Sequence, residues 1–336
     1  MRKVKFGYQL DFRNPPNAGR SFADLYRDAF KQIDLAEDLG FDSIWLTEHH
    51  FTDDGYLPSM LPMAAAIAAR TERVTIGTYV LLAPFIHPLK LAEDAAVVDV
   101  ISDGRLRLGL GQGYRAEEFD GFGVPRNQRL GRTVETIEIL KQAWSGQRFS
   151  FKGKYFQFSE VRVLPTPSSR PYPELLWGAG ARKAIERAAR LDLSFACVGG
   201  RKEIAVYRDA LAALGKNPER FSIVNSRVVY IADTPEGAWR DVGEGLLYQA
   251  ELYGKWLSAA AKTADLTKVL IRPDPERLKR TSILGPPDLV RDRIREVIDT
   301  SALTELILVM QLPGVAPALA YRSLQRFGNE VLPSFR

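Results

Sequence analysis

Eight short apolar runs recur along this 336-residue chain, and a stretch with helical periodicity follows each of them. The runs have the length of strands rather than of helices. They lie at residues 4–10, 43–46, 74–82, 106–110, 175–177, 193–197, 222–231 and 305–312. Strands that alternate with helices form a parallel sheet, because each helix carries the chain back to the same edge. Eight is the number at which such a sheet closes into a (β/α)8 barrel, so the sequence predicts this α/β fold over an open doubly wound sheet.

The helical stretches carry their own start and stop signals. In the first, apolar residues recur at spacings of three and four, Ser21 is placed to cap the start, and Gly40 is placed to end the helix. Pro286 and Pro287 precede a later helical pattern. Proline suits the first turn of a helix, because the N–H group that it lacks would have no partner there.

The chain is longer than a simple barrel, which needs about 250 residues. We expect a single domain over residues 1–336, with the surplus in insertions after the fourth and seventh strands. Residues 111–128 are Gly-rich and irregular, and residues 149–164 alternate like a small hairpin that turns near Gly153. Residues 255–284 are polar, and we interpret them as a mobile loop.

Charge and composition narrow the class of protein. The net charge is +5 and the pI is about 9.2, but basic residues are mixed with acids, so nucleic-acid binding is not expected. The single cysteine, Cys197, excludes an intramolecular disulfide and suits a reducing compartment. The N-terminus does not read as a signal peptide, and the longest apolar runs, at 60–69 and 79–86, are shorter than the roughly 20 residues that span a bilayer. We therefore expect a soluble, cytoplasmic protein.

All three histidines of the chain follow strand-like runs. His49 and His50 stand in LTEHHF after the second run, and His87 stands in APFIHP after the third. Because catalytic residues of a barrel lie at the carboxyl ends of its strands, we interpret this placement as a site rather than as chance. Adjacent histidines on an extended segment point in opposite directions, so no metal site is expected. Proton transfer, or a hydrogen bond to a ligand, fits better.

Glycines follow the fourth and fifth runs. In LLWGAGAR, Gly178 and Gly180 would leave backbone N–H groups open at a helix N-terminus, where a phosphate is favoured, and Arg182 or Lys183 could add charge. A tight strand-to-helix turn would also favour glycine, so a purely structural role for these glycines remains an alternative. The glycines of LGLGQGY, at 108–114, match a dinucleotide fingerprint only weakly, because no helix opens directly after them. They suit the close approach of a flat ligand.

In combination, five motifs resemble the bacterial luciferase-like flavin-dependent monooxygenase superfamily over nearly the whole chain. The motifs are EHHF, IGTYVLLAPFIHP, GRLRLGLGQGY, LLWGAGAR and QLPGVAP. The resemblance implies a (β/α)8 barrel that binds reduced FMN, which a separate NAD(P)H-dependent flavin reductase supplies and which reacts with O2 to give a 4a-hydroperoxide. It also implies that His49 is the catalytic acid–base group beside the isoalloxazine. Glu48 and His50 are then expected to fix the loop through hydrogen bonds.

The resemblance also assigns cofactor-binding residues, in three groups. A bulge behind the flavin, with a cis peptide between its last two residues, would consist of Thr78, Tyr79 and Val80. The phosphate turn would consist of Gly178, Ala179, Gly180, Ala181 and Arg182, with Arg129 or Arg132 as further contacts. Gly111 and Gln112 stand where luciferase carries a cysteine and an arginine. Light emission is therefore not expected, and one phosphate-binding arginine is missing.

We therefore expect an FMN-dependent, two-component monooxygenase that acts on a small or medium apolar organic molecule. Two rivals remain, a deazaflavin-dependent dehydrogenase or reductase on the same barrel and a flavin storage protein. EHHF in place of an aspartate–histidine pair weighs against the first rival, and retention of His49 weighs against the second. The aromatic residues expected to line the substrate site are Phe51, Tyr56, Phe85 and Tyr114.

The helix predicted over residues 59–70, SMLPMAAAIAAR, bears on assembly. It is more apolar than a single core-facing stripe requires, and its small residues permit close approach of another helix. Members of the superfamily pair through the helices that follow strands 2 and 3. We expect a twofold homodimer formed through residues 59–70 and 88–101.

Overall fold

In a computed structural model of the protein, which describes residues 3–260 and 273–336, eight parallel strands close into a barrel. They are β1 (Lys5–Gln9), β2 (Ser43–Leu46), β3 (Thr75–Thr78), β4 (Leu106–Gly111), β5 (Glu174–Ala179), β6 (Ser194–Cys197), β7 (Ile223–Ile231) and β8 (Glu305–Val309). Each strand pairs with the next, and β8 also pairs with β1, so the sheet closes. Two short strands, Leu81–Leu82 and Ile283–Gly285, add to β4 and β7. The predicted barrel is confirmed, and each predicted run coincides or overlaps with one barrel strand.

Helices surround the barrel and connect its strands. They are α1 (Phe22–Asp38), α2 (Met60–Arg70), α3 (Pro88–Ile101), α4 (Ala116–Gly121), α5 (Arg129–Ala143), α6 (Arg182–Arg190), α7 (Arg201–Ala213), α8 (Pro235–Ala260), α9 (Pro275–Thr281), α10 (Pro287–Ser301) and α11 (Pro317–Arg326). The predicted caps are confirmed: the Ser21 hydroxyl accepts from the Asp24 N–H at 3.1 Å, and α10 begins at Pro287. Within the described ranges, no helix is long and apolar enough to cross a membrane.

A buried polar cluster closes the barrel at the amino ends of its strands. The Nε of Arg107 donates to Glu174 at 2.7 Å, and Arg107 also pairs with Glu305. Glu305 in turn accepts from the Nε1 of Trp45 at 2.7 Å and from the Ser43 hydroxyl. The Trp45 ring, Arg107 and Glu305 are buried, and they fill the interior at this end of the barrel.

Three segments lie outside the simple strand–helix alternation. Residues 149–161 form an antiparallel hairpin, Phe149–Lys152 with Gln157–Val161, whose turn includes a hydrogen bond from the Gly153 N–H to the Phe156 carbonyl at 2.9 Å. The segment 111–128 is not wholly irregular, because it contains α4. The prediction of a loop over residues 255–284 is wrong for the described part. There α8 continues to Ala260, and α9 is followed by the short strand Ile283–Gly285. Residues 261–272 lie outside the described ranges.

The buried cluster generates a stability prediction. Arg107→Met leaves the Glu305 carboxylate buried without its cationic partner, so we expect the free energy of unfolding to fall by about 3–5 kcal/mol. Arg182→Met is the matched control, because Arg182 is 78% exposed and its surface ion pair with Glu186 should contribute less than about 1 kcal/mol. Urea denaturation of both variants measures the difference. Equal losses in the two variants would contradict the role assigned to the cluster.

Candidate active site

A cavity of about 1300 Å³ opens at the carboxyl ends of the barrel strands. Every barrel strand contributes to its wall, either with residues of the strand itself or with those that follow it. One lining residue from each, in strand order, is Gln9, Thr47, Tyr79, Gly111, Gly178, Val198, Ser226 and Val309. This rim is where barrel enzymes place their catalytic groups, so the cavity is the candidate active site.

A histidine–carboxylate pair stands in the cavity wall. The Nδ1 of His49, which follows β2, lies 2.8 Å from the Oε1 of Glu118 on α4. Glu118 is fully buried, and the His50 backbone N–H also donates to its Oε1 at 3.1 Å. Burial alone would raise the pKa of Glu118, but the hydrogen bond and charge of His49, the His50 amide and the charge of Arg115 outweigh burial and lower that pKa. Glu118 is therefore ionised near neutral pH.

The charge state of Glu118 determines which ring nitrogen of His49 carries a proton. An ionised carboxylate only accepts hydrogen bonds, so the Nδ1 of His49 must be the donor in this pair. The Nε2 is then the ring nitrogen of a neutral His49 that can accept a proton. This arrangement matches the general acid–base groups of enzymes, in which a carboxylate orients a histidine.

His50 and Glu48 form a second pair that holds the loop. The Nε2 of His50 lies 3.1 Å from the Oε1 of Glu48, and the other oxygen of Glu48 accepts from the Leu82 N–H at 2.7 Å. These contacts tie the end of β2 to the short strand at Leu81–Leu82. Of the two adjacent histidines, His49 lines the cavity, whereas His50 does not.

His87 does not belong to this site, contrary to the interpretation of all three histidines as one group. It caps α3, with its Nδ1 accepting from the Leu89 N–H at 3.3 Å, and it does not line the cavity. No group of three or more His, Cys, Asp or Glu side chains within the described part of the chain is arranged to hold a metal ion.

Aromatic rings enclose His49. The ring centroids of Tyr56, Tyr114, Tyr253 and Trp256 lie 5.0, 5.7, 5.8 and 4.6 Å from that of His49. Burial raises the pKa of each of these three tyrosines, so their hydroxyls stay protonated. Tyr253 and Trp256 come from α8, and no local pattern in the sequence distinguished them from core residues.

Two of the four aromatic residues expected in the substrate site lie elsewhere. Tyr56 and Tyr114 line the cavity, but Phe51 is 60% exposed and packs against Phe122 at a centroid distance of 5.1 Å. Phe85 stacks on Phe122 at 4.8 Å and does not line the cavity. These two phenylalanines belong to a cluster beside the rim.

A bulge after β3 shapes the middle of the cavity. The peptide between Tyr79 and Val80 is cis, and both residues line the cavity. A Cβ on Gly178 would lie 2.8 Å from a methyl group of Val80, and one on Gly111 would also overlap Val80. Glycine at these two positions therefore leaves room for the Val80 side chain. Thr78 is fully buried behind the bulge, where its hydroxyl donates to the Gly109 carbonyl at 2.7 Å.

The turn between β5 and α6 forms one end of the cavity. Residues 178–181 line it, and α6 begins at Arg182 with Ala181 at the N-cap, which has no side-chain oxygen to accept from the first-turn N–H groups. Lys183 and Arg187, four residues apart on one face of α6, also line the cavity. The side chain of Arg182 does not line the cavity but pairs with Glu186 at 2.9 Å.

Two further arginines were expected near this end, and a third was not. Arg129 lines the cavity, and burial together with the charge of Arg126 lowers its pKa. Arg132 does not line it, because its guanidinium lies over the Phe156 ring at 4.7 Å. Arg227 on β7 lines the cavity and had not been singled out from the sequence. A cationic residue inside a predicted barrel strand is a signal that could have found it, although Arg107 at the other end of the barrel carries the same signal.

The fold places a histidine–carboxylate pair and a basic turn before a helix on one rim of a barrel, and comparison with known proteins identifies the family. Residues 4–304 match the family model described as luciferase-like monooxygenase. The chain belongs to this family of flavin-dependent oxidoreductases.

Relatives of two kinds are among the matches. The chain is 25% identical over 332 residues to the oxygenase component of a flavin-dependent trigonelline monooxygenase from Acinetobacter baylyi, covering 93% of this chain and 90% of that protein. It is also 31% identical over 192 residues to an F420-dependent glucose-6-phosphate dehydrogenase from Amycolatopsis mediterranei, covering 55% and 57%. Among solved structures, monooxygenase RslO1 from Streptomyces bottropensis is 27% identical with a TM-score of 0.85, covering 99% and 100% of the two chains.

The lowered pKa of Glu118 generates a prediction about stability and pH. Because its pKa is lowered by folding, Glu118 stabilises the protein above its unfolded pKa of about 4.3, and this stabilisation is lost as the pH falls through the folded value. We expect Glu118→Gln to lower the free energy of unfolding by about 1–3 kcal/mol at pH 7, because a buried charged hydrogen bond is replaced by a neutral one. The difference from the wild type should narrow between about pH 5 and pH 3.

Urea denaturation across this pH range measures that difference. Glu117→Gln is the matched control, because the Glu117 side chain is largely exposed. Its ion pair with Arg115 is long, with 3.9 Å between the nearest nitrogen and oxygen. A pH-independent difference for Glu118→Gln would contradict the ionised state assigned to Glu118.

Proposed function

We propose that the protein is the oxygenase component of a two-component monooxygenase that uses reduced FMN and O2 to oxidise a small or medium organic molecule. The observation that carries the proposal is the His49–Glu118 pair in the wall of a large cavity whose far end is basic. A flavin storage protein would need the cavity and the basic end, but not an oriented proton-transfer group. The relative from Acinetobacter baylyi, an oxygenase component by its name, supports this proposal.

The cavity residues fit FMN. Its volume of about 1300 Å³ exceeds the roughly 300–1000 Å³ of pockets for drug-sized ligands, so a flavin and a substrate can be bound together. Tyr79, Val80, Gly111 and Gln112 line its middle and would contact the flavin ring, and Thr78 would support the bulge from behind through the Gly109 carbonyl. When bound, the reduced flavin supplies the electrons that activate O2.

The phosphate of FMN would bind at the turn between β5 and α6. No side chain caps the first turn of α6, and the helix dipole favours a negative charge at this position. Of the two residues expected to add positive charge here, Lys183 lines the cavity and Arg182 does not; Arg187 and Arg129 would add to the charge of Lys183.

His49 would act as the general acid–base group of the reaction. Glu118 holds Nδ1–H and stabilises a positive charge on the ring, so Nε2 can take a proton from the reacting molecule and return it. The surrounding rings of Tyr56, Tyr114 and Trp256 limit access of water to this nitrogen. Arg115 braces the pair, since it donates to the His50 carbonyl at 2.7 Å and its guanidinium lies 4.3 Å over Trp256.

The proposal includes a separate NAD(P)H-dependent flavin reductase as a partner. The described residues form one barrel with a hairpin, and none of them forms a second sheet of the size that binds a nicotinamide dinucleotide. Reduction of the flavin elsewhere agrees with this architecture. Reduced FMN would then reach the cavity by diffusion or by direct transfer.

A deazaflavin coenzyme is the second candidate, and one observation favours it. Four cationic residues line the cavity, namely Arg129, Lys183, Arg187 and Arg227, which is more than a single phosphate requires. A coenzyme with a longer anionic tail would use the surplus, and F420-dependent enzymes are among the relatives. Side-by-side titration of FMN and of a deazaflavin coenzyme, followed by fluorescence quenching, decides between them. Tighter binding of the deazaflavin would overturn the FMN assignment.

We also propose that the protein acts as a cytoplasmic homodimer. The faces concerned are residues 59–70 and 88–101, where α2 and α3 pack together. On α3, Val97, Val100 and Ile101 are 43–45% exposed, as apolar residues of a covered face would be in an isolated subunit. Light scattering at micromolar concentration measures the mass, and a monomer would contradict this proposal.

Removal of positive charge from α6 should affect FMN selectively. We expect Lys183→Met and Arg187→Met each to weaken FMN binding by about tenfold, because each removes a charge-assisted contact with the phosphate. Riboflavin, which lacks the phosphate, should bind each variant as it binds the wild type. Arg182→Met is the control, because that side chain points away from the cavity. Equal losses for FMN and riboflavin would mean that the α6 cations do not bind the phosphate.

Substitution of His49 should separate binding from catalysis. We expect His49→Ala to keep FMN affinity within a few-fold but to lose product formation by about 10²–10⁴-fold, the usual contribution of a general acid–base group. Oxygen uptake, peroxide release and substrate oxidation with reduced FMN measure the loss, with more peroxide released as waste. His87→Asn is the control, because asparagine can still cap α3. Full coupling of oxygen uptake to product in His49→Ala would exclude the acid–base role.

A further inference from the structure

The side-chain amide of Gln249 has a fixed orientation in the cavity wall. Gln249 lies on α8 and lines the cavity, and its Oε1 accepts from an Nη of Arg13 at 2.6 Å. A guanidinium can only donate hydrogen bonds, so the amide oxygen of Gln249 must face Arg13. Its Nε2, with two N–H groups, has no hydrogen-bond partner among the residues that the structure describes. An amide held in this way presents its two donors to a ligand, because its oxygen is turned toward Arg13.

Arg13 cannot release this amide at low cost. Its Nε donates to both carboxylate oxygens of Asp11, at 2.9 and 3.1 Å, and its Nη2 also pairs with Asp11. Both residues are at least 95% buried. The guanidinium lies 5.0 Å over the Tyr56 ring. The Arg13–Asp11 pair is held by several contacts and has no net charge. It therefore orients Gln249 without adding a net charge to the cavity wall.

The hydroxyl groups near Gln249 form hydrogen bonds with one another. Tyr56 donates to the Thr47 hydroxyl at 2.9 Å, so the Tyr253 hydroxyl, also at 2.9 Å from that of Tyr56, is the donor to Tyr56. The Gln9 side chain lines the same end of the cavity, but no described residue fixes which part of its amide faces a ligand. Gln249 is therefore the group here whose donor character is set by the protein.

Gln249 lies far from the proposed phosphate site. Its partner Arg13 follows β1, and in a closed barrel of eight strands β1 lies opposite β5, whose turn into α6 is basic. A flavin anchored after β5 and extending to His49 after β2 would leave the Gln249 end for the second molecule. This step rests on the proposed function, because it takes that second molecule to be the one that is oxidised.

We infer that the substrate carries a carbonyl or carboxylate oxygen, which accepts a hydrogen bond from the Nε2 of Gln249. The donor selects against a plain hydrocarbon of the same shape, because Nε2 would then be covered without a partner. The expected substrate is accordingly not wholly apolar. It combines an apolar body, which packs against the rings around His49, with one oxygen acceptor at the β1 end.

Three probes of similar shape test this inference: acetophenone, benzoate and ethylbenzene. Their dissociation constants are measured by calorimetry for the wild type, Gln249→Leu and Gln249→Glu, with and without saturating oxidised FMN. Gln249→Glu keeps the shape and can still accept from Arg13, but it offers oxygens where the wild type offers N–H groups. Gln147→Leu and Gln147→Glu are matched controls at an exposed position outside the cavity.

The inference predicts changes in ratios of affinity. Gln249→Leu should lower the affinity for acetophenone and for benzoate, relative to ethylbenzene, by about tenfold, and Gln249→Glu should weaken benzoate by more than that. The Gln147 variants should leave all ratios unchanged. Unchanged ratios in the Gln249 variants, or no measurable binding of acetophenone and benzoate to the wild type, would overturn the inference. FMN affinity is read separately, so failure of the proposed cofactor is distinguished from failure of the proposed donor.

Discussion

Closure of the parallel sheet is the constraint on which the rest of the structure depends. Because β8 pairs with β1, all eight strands end on one rim, and the segments that follow them meet around a single cavity. The polar cluster of Arg107, Glu174 and Glu305 fills the other end of the barrel. The amino ends of the strands are therefore packed, and the carboxyl ends surround the cavity.

Much of this arrangement could be predicted from the sequence, because it follows from local patterns. Eight apolar runs with helical stretches between them imply the barrel, and strand ends then place His49 and the turn at Gly178 on the rim. Exposure of single side chains on a helix was harder to predict. Lys183 and Arg187 share a face by their spacing of four, whereas Arg182, which pairs with Glu186, lies on another face. Only the packed orientation of α6 shows which face meets the cavity.

Contacts between distant segments could not be predicted from a single sequence. Glu118 lies 69 residues from His49 in the chain, inside an insertion that looked irregular, and nothing in AEEF distinguishes it from the exposed Glu117. Its role depends on the short helix α4, which brings it under the end of β2. The bond between Arg13 and Gln249 spans 236 residues and depends on how α8 crosses the rim. The sequence indicated that the glycines at 111 and 178 leave space beside the backbone. That the Val80 side chain occupies this space follows only from the three-dimensional structure.

The distribution of charge around the cavity gives it a direction. Near β1 and β2 the ionic groups are paired, as Asp11 with Arg13, Glu48 with His50, and Glu118 with His49 and Arg115. Near β5 to β7 the cations Lys183, Arg187 and Arg227 form no ion pair with any described residue. An anionic group entering this cavity therefore gains most at the α6 end, where uncompensated charge and a helix N-terminus act together. A neutral or weakly polar molecule loses least at the opposite end, where the pairs present hydrogen bonds with little net field. Under the proposed function, this difference in charge would direct the phosphate of the cofactor to the α6 end and leave the opposite end to the substrate.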